Sequence, residues 1–91
     1  MQPSIEHRSG EGRFVAVLDD AEGRLDYRLS PGRMTIVHTE VDPALEGRGV
    51  AGALVRAALD HARTSGLKVD AECAYARSYL DRHPETASLR G

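Results

Sequence analysis

With only one cysteine, Cys73, the chain has no means of forming an internal disulfide, and a reducing compartment is its simplest setting. No apolar run approaches the ~18 residues of a membrane span, and the N-terminal segment lacks the basic-then-apolar build of a signal peptide. The expectation is a cytoplasmic protein without membrane contact. Positive charge is not clustered: the arginines are scattered from Arg8 to Arg90, the net charge is −2 and the pI is near 6.0. A surface that tracks nucleic-acid phosphates needs clustered cations, so nucleic acid is not expected as a partner. His7, His38, His61 and His83 show no metal-ligand spacing with one another or with Cys73, so no metal is expected. Internal repeats and low-complexity tracts are absent.

What is present is an ordinary globular composition, 41% hydrophobic and 29% charged over 91 residues, which reads as one small domain over residues 1–91. A chain of this size buries only about two thirds of the surface it exposes when unfolded, leaving little room for a deep cavity beside a core. A bound ligand or a second subunit would complete a site.

Residues 1–11 are polar and read as a loose arm, with Ile5 able to add to a sheet edge. Arg13–Leu18 is β-rich, and Asp19-Asp-Ala-Glu-Gly23 supplies a hairpin turn with Gly23 placed for positive φ. Leu25, Tyr27 and Leu29 alternate with polar residues as a half-buried strand does. A third strand, Met34–Val41, has faces Met34, Ile36, His38, Glu40 and Thr35, Val37, Thr39, Val41, and Pro43 ends it. Three strands on short turns make an antiparallel meander. From Val50 an apolar stripe at helical spacing runs to Ala62, with Gly66 as the stop. Leu67, Val69, Ala71 and Cys73 alternate as a fourth strand, which after a helix should lie parallel through a right-handed crossover. Ala74–Arg82 is a short closing helix ended by Pro84, and residues 86–91 read as loose. The expected fold is therefore α+β: meander, helix, parallel strand, closing helix.

The stretch between strand and helix organises the rest. Gly47 and Gly49 can adopt backbone conformations closed to other residues and let another molecule approach the peptide groups. The first amides of the following helix have no intrahelical partner, so exposed N–H groups and a partial positive charge meet where a phosphate can be held. The alternative is that the glycines only make the corner. Arg48 between them adds positive charge. Gly47-Arg-Gly-Val-Ala-Gly52 also matches the dinucleotide fingerprint literally, with Asp70 near the position of a ribose acid. Residues 42–46, however, separate strand from glycine where that turn is tight, and too little chain follows Asp70 for a doubly wound sheet.

The order of elements resembles the central part of the GNAT acetyltransferase superfamily, and Glu46-Gly-Arg-Gly-Val-Ala51 is similar to its acetyl-CoA motif, R/Q-x-x-G-x-G/A. Gly49 and Ala51 match, while Glu46 stands where Arg or Gln is usual. A closer resemblance is to a family of minimal GNAT-like proteins that lack the first strand and helices of the full domain. It is carried by His38-Thr-Glu-Val41, Gly47–Ala51, Cys73 and Arg82-His-Pro-Glu85, over about residues 13–85. The resemblance implies an acetyl-CoA-dependent N-acetyltransferase that acts on a small-molecule or protein amine, with Val41, Gly47, Arg48, Gly49, Val50 and Ala51 as the binding residues.

In that family a cysteine at the Cys73 position is the suspected acetyl-handling residue. A thiolate attacks a thioester well when positive neighbours lower its pKa, and Arg77, one turn on, could supply that charge. Read without the family, Cys73 continues the apolar face of Leu67, Val69 and Ala71 as a small hydrophobe. Glu40 stands where a strand carboxylate of the superfamily deprotonates the acceptor amine; otherwise it is a solvated strand-end carboxylate. The superfamily's general-acid tyrosine would fall on Leu80, one residue from Tyr79, so that role has no holder. The rival functions are a module that binds CoA or acyl-CoA without turnover and a dinucleotide-binding fragment.

Overall fold

The computed structural model describes residues 3–91; Met1 and Gln2, part of the expected loose arm, lie outside the described residues. Five strands, β1 (Ser4–Arg8), β2 (Arg13–Leu18), β3 (Ala21–Ser30), β4 (Arg33–Val41) and β5 (Lys68–Ala71), form one sheet in sequence order. The first four are antiparallel, and β5 runs parallel to β4 after a crossover through α1 (Val50–Ser65). The closing helix α2 spans Ala74–Arg82, and a 3-10 segment covers Pro84–Leu89. Among the described residues no helix is long and apolar enough to cross a membrane.

The α+β class and the order from β2 to α2 match the sequence reading; the two ends do not. Ser4–Arg8 is not loose but an edge strand paired along β2 from Ser4↔Val17 to Arg8↔Arg13. His7 anchors it, stacked on Phe14 with centroids 4.1 Å apart. At the other end Leu89 is buried, Arg90 bridges to Val69, and Gly91 N donates to Val69 O at 3.2 Å.

The β2–β3 turn is Asp19-Asp20, both residues in the left-handed region at φ 52° and 65°. That is the two-residue turn whose twist suits a hairpin, and aspartate tolerates it better than most side chains. Gly23, expected at the turn, instead lies within β3 opposite Ala16 and Val41. A Cβ there would stand 3.1 Å from Val41 Cγ2 and 3.2 Å from Val50 Cγ1, so its bareness lets the start of α1 sit against the sheet.

One face of the sheet carries Phe14, Ala16, Leu25, Met34 and Ile36 against Val50, Leu54, Val55 and Ala58 of α1, all buried. The other carries ion pairs between strands, Arg13–Asp26 at 2.7 Å and Arg24–Glu40 at 3.0 Å among them. Strict alternation along β4 fails at one point. Tyr27 pairs with Ile36 and Asp26 with His38, leaving Val37 as an extra residue, a β-bulge. Beyond it the faces exchange. Thr39 and Val41 stand opposite Leu25 and Gly23 on the helix-covered side, while His38 and Glu40 join Asp26 and Arg24 on the other.

The strand expected over Leu67–Cys73, which is β5, is shorter than its alternation implies. β4 and β5 pair only from Arg33↔Lys68 to Ile36↔Ala71. There the chain turns, and the Ile36 carbonyl accepts the amides of Glu72 and Cys73 at 2.9 and 3.3 Å. Cys73 is therefore the residue before α2, not a strand residue. Past Ile36 the β5 side of β4 has no strand beside it among the described residues.

Candidate functional site

The loop after β4 is folded by its own side chains. Asp42 accepts a hydrogen bond from Ala44 N at 2.9 Å, Pro43–Leu45 makes a 3-10 turn, and buried Leu45 pins the loop to the core. Gly47 and Gly49 then take φ of 77° and 76°. A Cβ on either would meet nothing within 4 Å, so backbone conformation rather than crowding calls for glycine, and the space above the loop is open. Gly49 precedes α1 without a side-chain cap, and the first turn holds no acidic residue. The unpaired amides at this helix start are left for an outside acceptor.

These residues line a groove of about 310 Å³ formed by Val41, Leu45, Glu46, Gly47, Gly49, Val50, Ala51, Gly52 and Tyr75. Five of the six expected binding residues are in its wall. Arg48 is not; its guanidinium holds Asp19 at 3.0 Å, tying the loop to the hairpin. Tyr75 was not legible as a site residue. It lies in the first turn of α2, and its hydroxyl stands 3.5 Å from where a Cβ on Gly52 would be, closing the groove between the two helix starts. Only its place two residues after Cys73 could have pointed to it.

Cys73 is half-buried at the N-terminus of α2 with Sγ 3.4 Å from Thr39 Oγ1. Burial pushes the thiol up, but hydrogen bonds with the Thr39 hydroxyl and with the backbone at Ala76, Tyr75 and Thr39 outweigh it, and the thiol ends below its usual value. Arg77 is not the source of this shift. Its guanidinium turns back to the Ala71 carbonyl at 3.3 Å.

Glu40 is not brought to Cys73. It lies on the opposite face of the sheet from Thr39, 3.0 Å from Arg24 and 3.7 Å from His38, in a second cleft lined by Glu22, Gly23, Arg24, Val41, Asp42 and Pro43. Tyr79 and Leu80 are buried, with Tyr79 stacked on His83 at 4.0 Å. Among the described residues no group of three or more His, Cys, Asp or Glu could hold a metal ion.

The sequence model of the GCN5-related N-acetyltransferase family matches residues 13–89. The chain belongs to this family. Among its relatives is protein NATD1: the mouse protein is 43% identical over 83 residues, covering 88% of this chain and 76% of that one. NATD1 of Xenopus tropicalis is 40% identical over 91 residues, covering 92% and 84%. A GCN5-like protein of Staphylococcus aureus, solved in solution by NMR, superposes with a TM-score of 0.76 at 29% identity over 97% of this chain and 87% of that one. An acetyltransferase of Trypanosoma brucei shares the fold alone, with a TM-score of 0.51 at 19% identity over 92% and 66%.

Within this GNAT chain, the groove over the glycine loop and the start of α1 is bounded by Val41 at the end of β4 and by Tyr75, two residues after Cys73, and Cys73 itself sits where β4 and β5 part. Glu46, where the wider superfamily's motif has Arg or Gln, is one of the residues of the groove wall.

Proposed function

We propose that this protein transfers an acetyl group from acetyl-CoA to an amine. The observation that carries the reading is the groove itself, in which uncapped helix amides above an open glycine loop meet, across Gly52, the first turn of the helix that Cys73 begins. The diphosphate of the donor would be held by the amides of Gly47 to Ala51. The pantetheine arm carries two amides of its own, and the unpaired β5-side edge of β4 offers it backbone partners past Ile36. That course brings the thioester toward Thr39 and Cys73. The amine nitrogen attacks the acetyl carbonyl, the carbon–sulfur bond breaks, and CoA leaves as a thiolate that takes up the proton the nitrogen gives up in becoming an amide. The acceptor is a small molecule or an exposed protein amine, and the lone thiol fits a reducing cytoplasm.

Calorimetry with CoA and with phosphate-free pantetheine tests the binding half: CoA should bind far more tightly, and equal affinities would show that no phosphate is held. CoA release from acetyl-CoA over a panel of amines tests turnover. A second reading, CoA binding without turnover, draws on Glu40, whose carboxylate faces Arg24 across the sheet from Cys73. Binding without release of CoA by any amine would select it.

A further inference from the structure

We propose that Thr39 is the positioning residue for Cys73, its hydroxyl fixing the sulfur at the start of α2 and donating a hydrogen bond to it once the thiol is ionised. The inference rests on the reading of Cys73 as the group beside the acyl carbonyl, and its basis is the bulge in β4. With strict alternation Thr39 would face away from Met34 and Ile36; the extra residue at Val37 brings it to their side, within 3.4 Å of Sγ. The same stretch of β4 holds the backbone of Cys73, since the Ile36 carbonyl accepts its amide. Main chain and side chain are thus tied to one strand on either side of the bulge. In the neutral form the S–H donates to Thr39 Oγ1. When the sulfur loses its proton, the hydroxyl hydrogen can turn toward it, and the bond becomes the stronger, charge-assisted kind.

The charged groups nearby are engaged elsewhere. Glu72 is held by Arg28 at 2.7 Å, Arg77 donates to the Ala71 carbonyl, and His38 and Glu40 face each other beyond the sheet. The Thr39 hydroxyl and the backbone at Ala76, Tyr75 and Thr39 are the groups that favour the ionised sulfur. Of these, only the Thr39 hydroxyl can be removed by substitution without disturbing the backbone.

The test is the rate of iodoacetamide alkylation of Cys73 against pH in the parent chain, Thr39→Val and Thr39→Ser, followed by intact mass. Valine keeps the bulk and loses the hydroxyl; serine keeps the hydroxyl. Thr39→Val should shift the profile to higher pH and slow alkylation at neutral pH about tenfold, the scale of a hydrogen bond to a charged group, while Thr39→Ser should restore the parent profile. A valine profile equal to the parent's, equal shifts in both variants, or a parent thiol that does not react would overturn the proposal. Should Thr39→Val fail to fold, the Cys73 Cβ shift titrated by NMR in Thr39→Ala and Thr39→Ser makes the same comparison. Protection of the parent thiol by acetyl-CoA is read separately: its absence, with the valine shift present, would sink the acetyl-transfer reading and leave the pairing of Thr39 with Cys73 intact.

Discussion

At Gly49 the backbone is left-handed and the space beside it empty, so a side chain there meets strain before it meets a neighbour. The left-handed conformation costs a β-branched residue about 1–2 kcal/mol. Gly49→Val should keep the far-ultraviolet circular dichroism of the parent and weaken CoA binding in calorimetry by at least tenfold. Glu46 acts in the other direction. It brings a negative charge to a groove proposed to take a diphosphate, so Glu46→Gln should tighten CoA binding by about threefold at low salt, with the gain shrinking as ionic strength rises. A gain that ignores salt would show that the effect is not electrostatic. The glycines could be read from their spacing ahead of a helical stripe. The surroundings of Cys73 could not, because Thr39 lies 34 residues earlier in the chain and reaches it only through a bulge that no glycine or proline announces.

The elements that were legible carry their reasons locally: the periods of β3 and α1, Pro43 after β4, Gly66 closing α1 at φ 71°. β1 carries no such signal, since among Ser4–Arg8 only Ile5 is apolar. What holds the strand is distant in sequence. His7 stacks on Phe14, stands 4.4 Å from the His61 ring of α1 and places Nε2 2.5 Å from the Tyr27 hydroxyl. Burial first, then His61, keeps His7 below its ordinary value of 6.5, so the folded chain binds fewer protons here than the unfolded one. The contribution is therefore present above that value and is lost as the pH falls below it and through the depressed folded value. Hydrogen exchange should show β1 amides losing protection before those of β3 as the pH is lowered from 7.5 to about 5. His7→Phe should flatten that dependence, and an unchanged slope would mean that the histidines do not govern the strand.

Across the molecule, the closing segment beyond α2 finishes the sheet. Leu89 packs into the core, Lys68 Nζ donates to Ser88 O at 2.7 Å, and Arg33 holds the Gly91 carbonyl at 2.8 Å, so the outer side of β5 is covered where it would otherwise be an open edge. Leu89→Ala should cost about 2 kcal/mol and lower the thermal midpoint by roughly 10 °C. A shift of only a degree or two would return the segment to the loose tail that its composition implies. The cover also sets where the sheet can yield. With β5 sealed outside and paired to β4 only as far as Ile36, the two strands part beyond it, and the same carbonyl oxygen that ends the pairing anchors the start of α2. A molecule wedged along β4 would lean on that one atom, and the amide exchange rates of Glu72 and Cys73 would register its presence before any product formed.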